Sequence, residues 1–118
     1  MNKQELKNRT KQFAVSIIHL TEFLPNTYLG RHIKGQLIRS ASSVAANYRA
    51  ACLAQSRAAY IAKLSIVIEE ADESEFWLEL ISEKQLTDHF SMKELLKEAH
   101  ELASIFIATR KTLMLKNE

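Results

Sequence analysis

Residues 31–57 read RHIKGQLIRSASSVAANYRAACLAQSR, and the spacing of their apolar residues decides the fold. At about 100° per residue, Ile33, Leu37, Ala41, Val44, Tyr48, Ala51 and Cys52 fall on one stripe, the pattern of a helix lying on a core. The opposite side holds Arg39, Ser43, Ala46, Ala50 and Arg57, flanked by Arg31, Lys34 and Arg49 beside Ile38, Ala45 and Leu53. Cations and small residues therefore share the outer surface. Small side chains on a helix exterior let another backbone or a polynucleotide come close, where a solvated face would carry longer polar groups. This face is the expected working surface.

The same periodicity extends to both sides. Upstream, Asn2 with Glu5 reads as a capping-box-like helix start, and Leu6, Phe13, Ile17, Leu20 and Leu24 make the core stripe of a first helix. Pro25 to Gly30 is expected to end it, with Gly30 supplying conformational freedom at the turn. Downstream, the chain is expected to turn near Gln55-Ser56. A third helix then runs to about Glu83, with Tyr60, Leu64, Val67, Ala71, Leu78 and Ile81 facing inward. Its reverse side carries Ile66, Phe76, Trp77 and Leu80 among Glu69 and Glu73, so it is apolar on two faces and acidic between them. Residues 84–90 read as a connection, and Ser91 with Glu94 as the capping box of a fourth helix whose core stripe is Leu95, Ala99, Leu102, Phe106 and Leu113.

With only two Gly and one Pro in 118 residues, the backbone has few breakers and must be mostly helix. The expected fold is all-α, an antiparallel up-down-up-down four-helix bundle formed by one domain over residues 1–118. Cys52 has no partner for an internal disulfide and its place on the stripe marks it as a buried thiol. The polar N-terminus MNKQELKNRTKQ has no apolar leader, and no run approaches the roughly 20 apolar residues of a membrane span. A cytoplasmic protein with no membrane association is expected.

Net charge +2 hides a division. Residues 1–57 hold nine Lys/Arg and two Asp/Glu, 9 − 2 = +7, whereas residues 58–118 hold seven and twelve, 7 − 12 = −5. Such asymmetry fits either self-association of opposite surfaces or a basic patch for nucleic acid. Arg31, Lys34, Arg39, Arg49, Arg57 and Lys63 form the candidate phosphate-binding set, since cations spread along a helix displace counterions from a polynucleotide. Aromatic residues do not interleave them, so binding is expected to follow backbone and shape. For Arg39 and Arg49 the alternative stays open that they pair with Glu69 or Glu73 of the same or a neighbouring subunit.

Catalytic and metal-binding patterns are missing. His19 and Glu22 stand in the reverse of the Glu-x-x-His order of di-iron bundles, His89 falls in a connection, and Glu98 is too close in sequence to His100. No Gly-rich phosphate loop occurs, and Ser42-Ser43 with His32 does not make a triad. No enzyme activity, metal or cofactor is expected.

Three segments carry a resemblance: Gln36 to Tyr48 (QLIRSASSVAANY), Ile61 to Val67 (IAKLSIV) and Glu69 to Leu80 (EEADESEFWLEL). Through them the chain resembles, over nearly its whole length, the bacterial four-helix-bundle family named for proteins encoded in 23S rRNA intervening sequences. Many members have Ala-Glu-Gly after the Asn, whereas this chain has Arg49-Ala50-Ala51-Cys52, which resembles a more basic branch. The resemblance implies an up-down bundle assembling as a ring-shaped homopentamer. It thereby implies a subunit interface on the second apolar face, at Ile66, Glu69, Glu73, Phe76, Trp77 and Leu80. The family is also similar to the accessory protein of diversity-generating retroelements, a basic pentamer that binds nucleic acid and a reverse transcriptase. By this analogy the chain is expected to be a homo-oligomeric accessory protein that binds structured RNA, or DNA, with a reverse transcriptase or another protein as a further partner. The alternative is a protein-interaction scaffold with no nucleic-acid role.

Overall fold

The computed structural model describes residues 1–116, so the last two residues of the expected 1–118 domain lie outside the described residues. Its order is α1 (Lys3–Thr21), α2 (Tyr28–Ala51), α3 (Arg57–Glu83) and α4 (Met92–Leu115), and no strand occurs among the described residues. Asn2 caps α1 by accepting the Glu5 amide at 2.8 Å, as the sequence predicts.

The first connection differs from expectation. α1 ends at Thr21, ahead of Pro25, and Glu22, Phe23 and Leu24 close it with tightened bonds onto His19, Leu20 and Thr21. Leu24 packs on the core from this loop. Tyr28, Leu29 and Gly30 belong to α2, because Thr27 caps it by accepting the Gly30 amide at 3.1 Å. Gly30 is needed for closeness rather than freedom: a Cβ there would stand 2.0 Å from the Pro25 carbonyl oxygen. α2 stops at Ala51, which puts Arg57 at the start of α3, behind the Ser56 cap.

α3 ends with Gln85 in a left-handed conformation, φ 51°. Leu86 and Gln85 donate to the Ile81 and Ser82 carbonyls at 3.0 and 3.1 Å, the paired bonds of a Schellman motif. The capping box expected at Ser91 does not form. Ser91 is already helical, at φ −78° and ψ −10°, so its hydroxyl cannot reach the next turn's amides and lies 2.8 Å from His89 Nδ1 instead.

The core is the union of the expected stripes, with Ala14, Ile68 and Ala103 added. Tyr60 and Leu113 pack against it half-buried, as does Cys52, which the sequence marked as buried. Helices that follow one another in sequence pack together, and α4 also meets α1. Arg9 closes that second seam, donating to Glu98 at 2.7 and 2.8 Å and to Glu101 at 2.8 Å. Between α2 and α3 the buried hydroxyls of Ser40 and Ser74 meet at 3.0 Å, and Ser74 donates to the Glu70 carbonyl at 2.8 Å. Among the described residues the Tyr48 hydroxyl has no hydrogen-bond partner, although the ring is fully buried. Burial pushes its pKa well above the ordinary phenol value, and the neighbouring Tyr60 and Cys52 raise it further. No helix among the described residues is long and apolar enough to cross a membrane.

Candidate nucleic-acid interface

The six candidate cations separate into three settings. Arg39 points toward α3, where its guanidinium spans Glu70 at 2.7 Å and Glu73 in a still shorter contact. Its charge is committed within the chain, through Glu73 as the alternative reading has it and through Glu70 in place of Glu69. Burial opposes ionisation of Glu73, but hydrogen bonds from Trp77 and Arg39 and the charge of Arg39 outweigh it, holding the carboxyl below its ordinary range.

Arg31, Lys34 and Arg49 lie on the α1 side of α2. Arg31 and Arg49 are eighteen residues apart, five full turns, so they share an azimuth about 27 Å apart along the helix. Arg31 donates to Asn26 Oδ1 at 3.1 Å and borders, with Lys34, a recess of about 460 Å³ under Pro25. Arg49 lies at the other end, on a cleft of about 480 Å³ between α1 and α2. Ser42, Ala45 and Ala46 of α2 and Ala14 of α1 also line that cleft, and Lys7 and Lys11 of α1 bring two further cations to it.

Lys7 and Lys11 are missed when each helix is read alone. Their four-residue spacing on the outer side of α1 is the available signal, once α1 is set beside α2. Among the described residues, Lys7, Lys11, Lys34 and Arg49 have no carboxylate within ion-pair distance. Arg57 and Lys63 sit on α3, Arg57 exposed and Lys63 half-buried, apart from the α1–α2 cleft. Gly35 adds to the open character of α2. It stands exposed in mid-helix, and a Cβ there would meet nothing within 4 Å, so internal packing does not require its small size.

The expected interface residues of α3 also divide. Trp77 and Leu80 pack against the chain's own core. Trp77 Nε1 donates to Glu73 at 3.1 Å, and Glu73 is tied to Arg39. Ile66, Glu69 and Phe76 remain exposed, Phe76 by 50%. No group of three or more His, Cys, Asp or Glu among the described residues is arranged to hold a metal ion.

Comparison with known proteins fits this architecture. The sequence profile described as 23S rRNA-intervening sequence protein matches residues 2–108. Among solved structures, the chain is similar to a protein of unknown function from the S23 ribosomal protein family of Bacteroides thetaiotaomicron VPI-5482. That match has a TM-score of 0.80 at 33% identity and covers 94% of this chain and 99% of the other. Among curated proteins no sequence matches.

Proposed function

We propose, from the premise that the chain belongs to the 23S rRNA-intervening sequence protein family, that it is a non-enzymatic, homo-oligomeric accessory protein that binds structured RNA. The α1–α2 face is the binding surface. The carrying observation is the set of exposed or half-exposed cations there, Lys7, Lys11, Lys34 and Arg49, none of them neutralised by a carboxylate within ion-pair distance among the described residues. Arg31 extends the set, and Gly35 and Ala46 keep the surface low enough for a sugar-phosphate chain to approach.

The course of the bundle is read as up-down-up-down. In support, His32 meets Trp77 while Arg39 meets Glu70, and Glu75 meets His100 while Ser65 meets Arg110, so pairing runs in opposite order between α2 and α3 and between α3 and α4. Assembly as a ring would use the exposed Ile66 and Phe76, with Glu69 beside them. The same exposed apolar residues support the second reading, a scaffold that docks a protein.

Fluorescence anisotropy with an RNA hairpin over a salt series tests the proposal. With five cations engaging phosphates, log Kd should change with log salt by about 4.5 units per decade. No binding even at low ionic strength would refute it and leave the scaffold.

A further inference from the structure

We propose that the start of α2 is a stacking platform for unpaired nucleobases, built on Tyr28 and His32 and backed by Trp77. The inference rests on the nucleic-acid reading and specifies it: the ligand has single-stranded or loop nucleotides, not only a duplex backbone.

Tyr28 occupies the first position of α2 and is 80% exposed, so its ring contributes little to the core. His32, one turn later and also exposed, lies parallel to it within 7°, with centroids 6.3 Å apart. The indole of Trp77 meets the His32 ring edge-on, at 78° and 5.7 Å, and is itself anchored through Glu73. The two rings are thereby presented in one orientation, with the face of Tyr28 open to solvent. Sequence reading missed this because it assigned Tyr28 to a turn and found no aromatic among the cations.

Charge selects the occupant. Arg31 stands one turn from Tyr28 on the same helix, so a nucleotide stacked there has a cation within reach of its phosphate, with Lys34 further round the helix. A second aromatic group occupies the same end of the molecule. There Phe23 meets His89 at 4.3 Å and His89 meets Phe90 at 4.4 Å, but Glu22 and Asp88 flank it in sequence. Glu22 also lines the recess of Arg31 and Lys34, so it is those cations that place the platform on the Tyr28 side. Paired bases keep their faces inside the duplex, which leaves unpaired ones as the ligand.

The test uses the full chain and four labelled probes of about twelve units each: single-stranded RNA, single-stranded DNA, an RNA duplex, and an abasic sugar-phosphate oligomer. Trp77, the only tryptophan, provides a second readout through its emission. The single strands should bind about tenfold or more tighter than the abasic oligomer and change Trp77 emission. Tyr28→Ala with His32→Ala should remove that advantage while changing duplex affinity less than about twofold, and Tyr28→Phe should retain it. A preference for RNA over DNA would identify RNA as the source of the bases, and equal binding would identify any unpaired strand; both outcomes support the platform. Equal binding of abasic and base-bearing strands overturns it. So does an unaltered single-strand affinity in the double variant, and if Arg49→Glu still weakens every probe, the nucleic-acid reading survives that result. Failure of all four probes to bind overturns both.

Discussion

Replacing Arg49 and Lys11 with glutamate reverses two of the cations on the α1–α2 cleft, while replacing Arg39 with glutamine removes one that already has partners. The two changes should affect different properties. Taking Lys7, Lys11, Arg31, Lys34 and Arg49 as phosphate contacts gives a salt dependence of about 4.5 log units per decade, and losing two contacts lowers it to about 2.7. Between low and fourfold higher salt, the parent chain then loses affinity about 500-fold and the variant about 40-fold. Arg39→Gln leaves the slope unchanged and acts on stability. Its pairs are partly screened, with side chains 49% exposed for Arg39, 14% for Glu70 and 34% for Glu73, which places each pair at about 0.5 to 1 kcal/mol. Together they make a loss of about 1 to 2 kcal/mol, because Glu70 is left mostly covered and uncompensated. Anisotropy with an RNA hairpin reads the slope, and urea unfolding followed by circular dichroism reads the stability. An unchanged slope in the cleft variant, or a flattened one in Arg39→Gln, would refute the assignment of these cations.

Three further outcomes follow from local geometry. Tyr48→Phe removes a buried hydroxyl with no partner while keeping the ring that lies 4.9 Å from Phe106, so it should stabilise the chain by about 1 kcal/mol in urea unfolding; destabilisation would reveal a hidden partner. Gln85→Gly relieves a positive φ at the end of α3 and should add about 0.5 to 1 kcal/mol, whereas a loss would mean that the Gln85 side chain holds the turn. Glu73 has a folded pKa below its ordinary 4.5, so its contribution is present above that value and is lost as pH falls through the lower, folded value. Glu73→Gln should therefore show a smaller loss of stability on acidification than the parent chain, and an identical acid profile would contradict this.

The helices were legible because a three-to-four-residue spacing of apolar side chains has one solution. Ile33, Leu37, Ala41, Val44 and Tyr48 are all fully buried, as their stripe requires. The first connection was misread because Pro25 dominates the local pattern. The decisive signal was instead Thr27 with Gly30 three residues on, a cap whose glycine is fixed by contact with Pro25, a constraint visible only in three dimensions. Ser91 illustrates the converse: a residue of capping type fails to cap when its backbone is already helical and a neighbouring imidazole takes its hydroxyl. Arg39 was recognised as able to pair with α3, but the choice of Glu70 over Glu69 depends on how α2 and α3 are rotated against each other. Lys7 and Lys11 were overlooked for the same reason, since a cleft between two helices belongs to neither pattern alone.

Native mass spectrometry on protein purified without nuclease, with the ratio of nucleic-acid to protein absorbance measured on the same sample, decides whether the chain is a homo-oligomer that binds nucleic acid through α1 and α2. The expected result is one closed oligomer carrying co-purified nucleic acid, which the Arg49→Glu, Lys11→Glu variant loses while keeping its subunit number. A monomer, or an oligomer free of nucleic acid that also ignores added RNA at low salt, would contradict it.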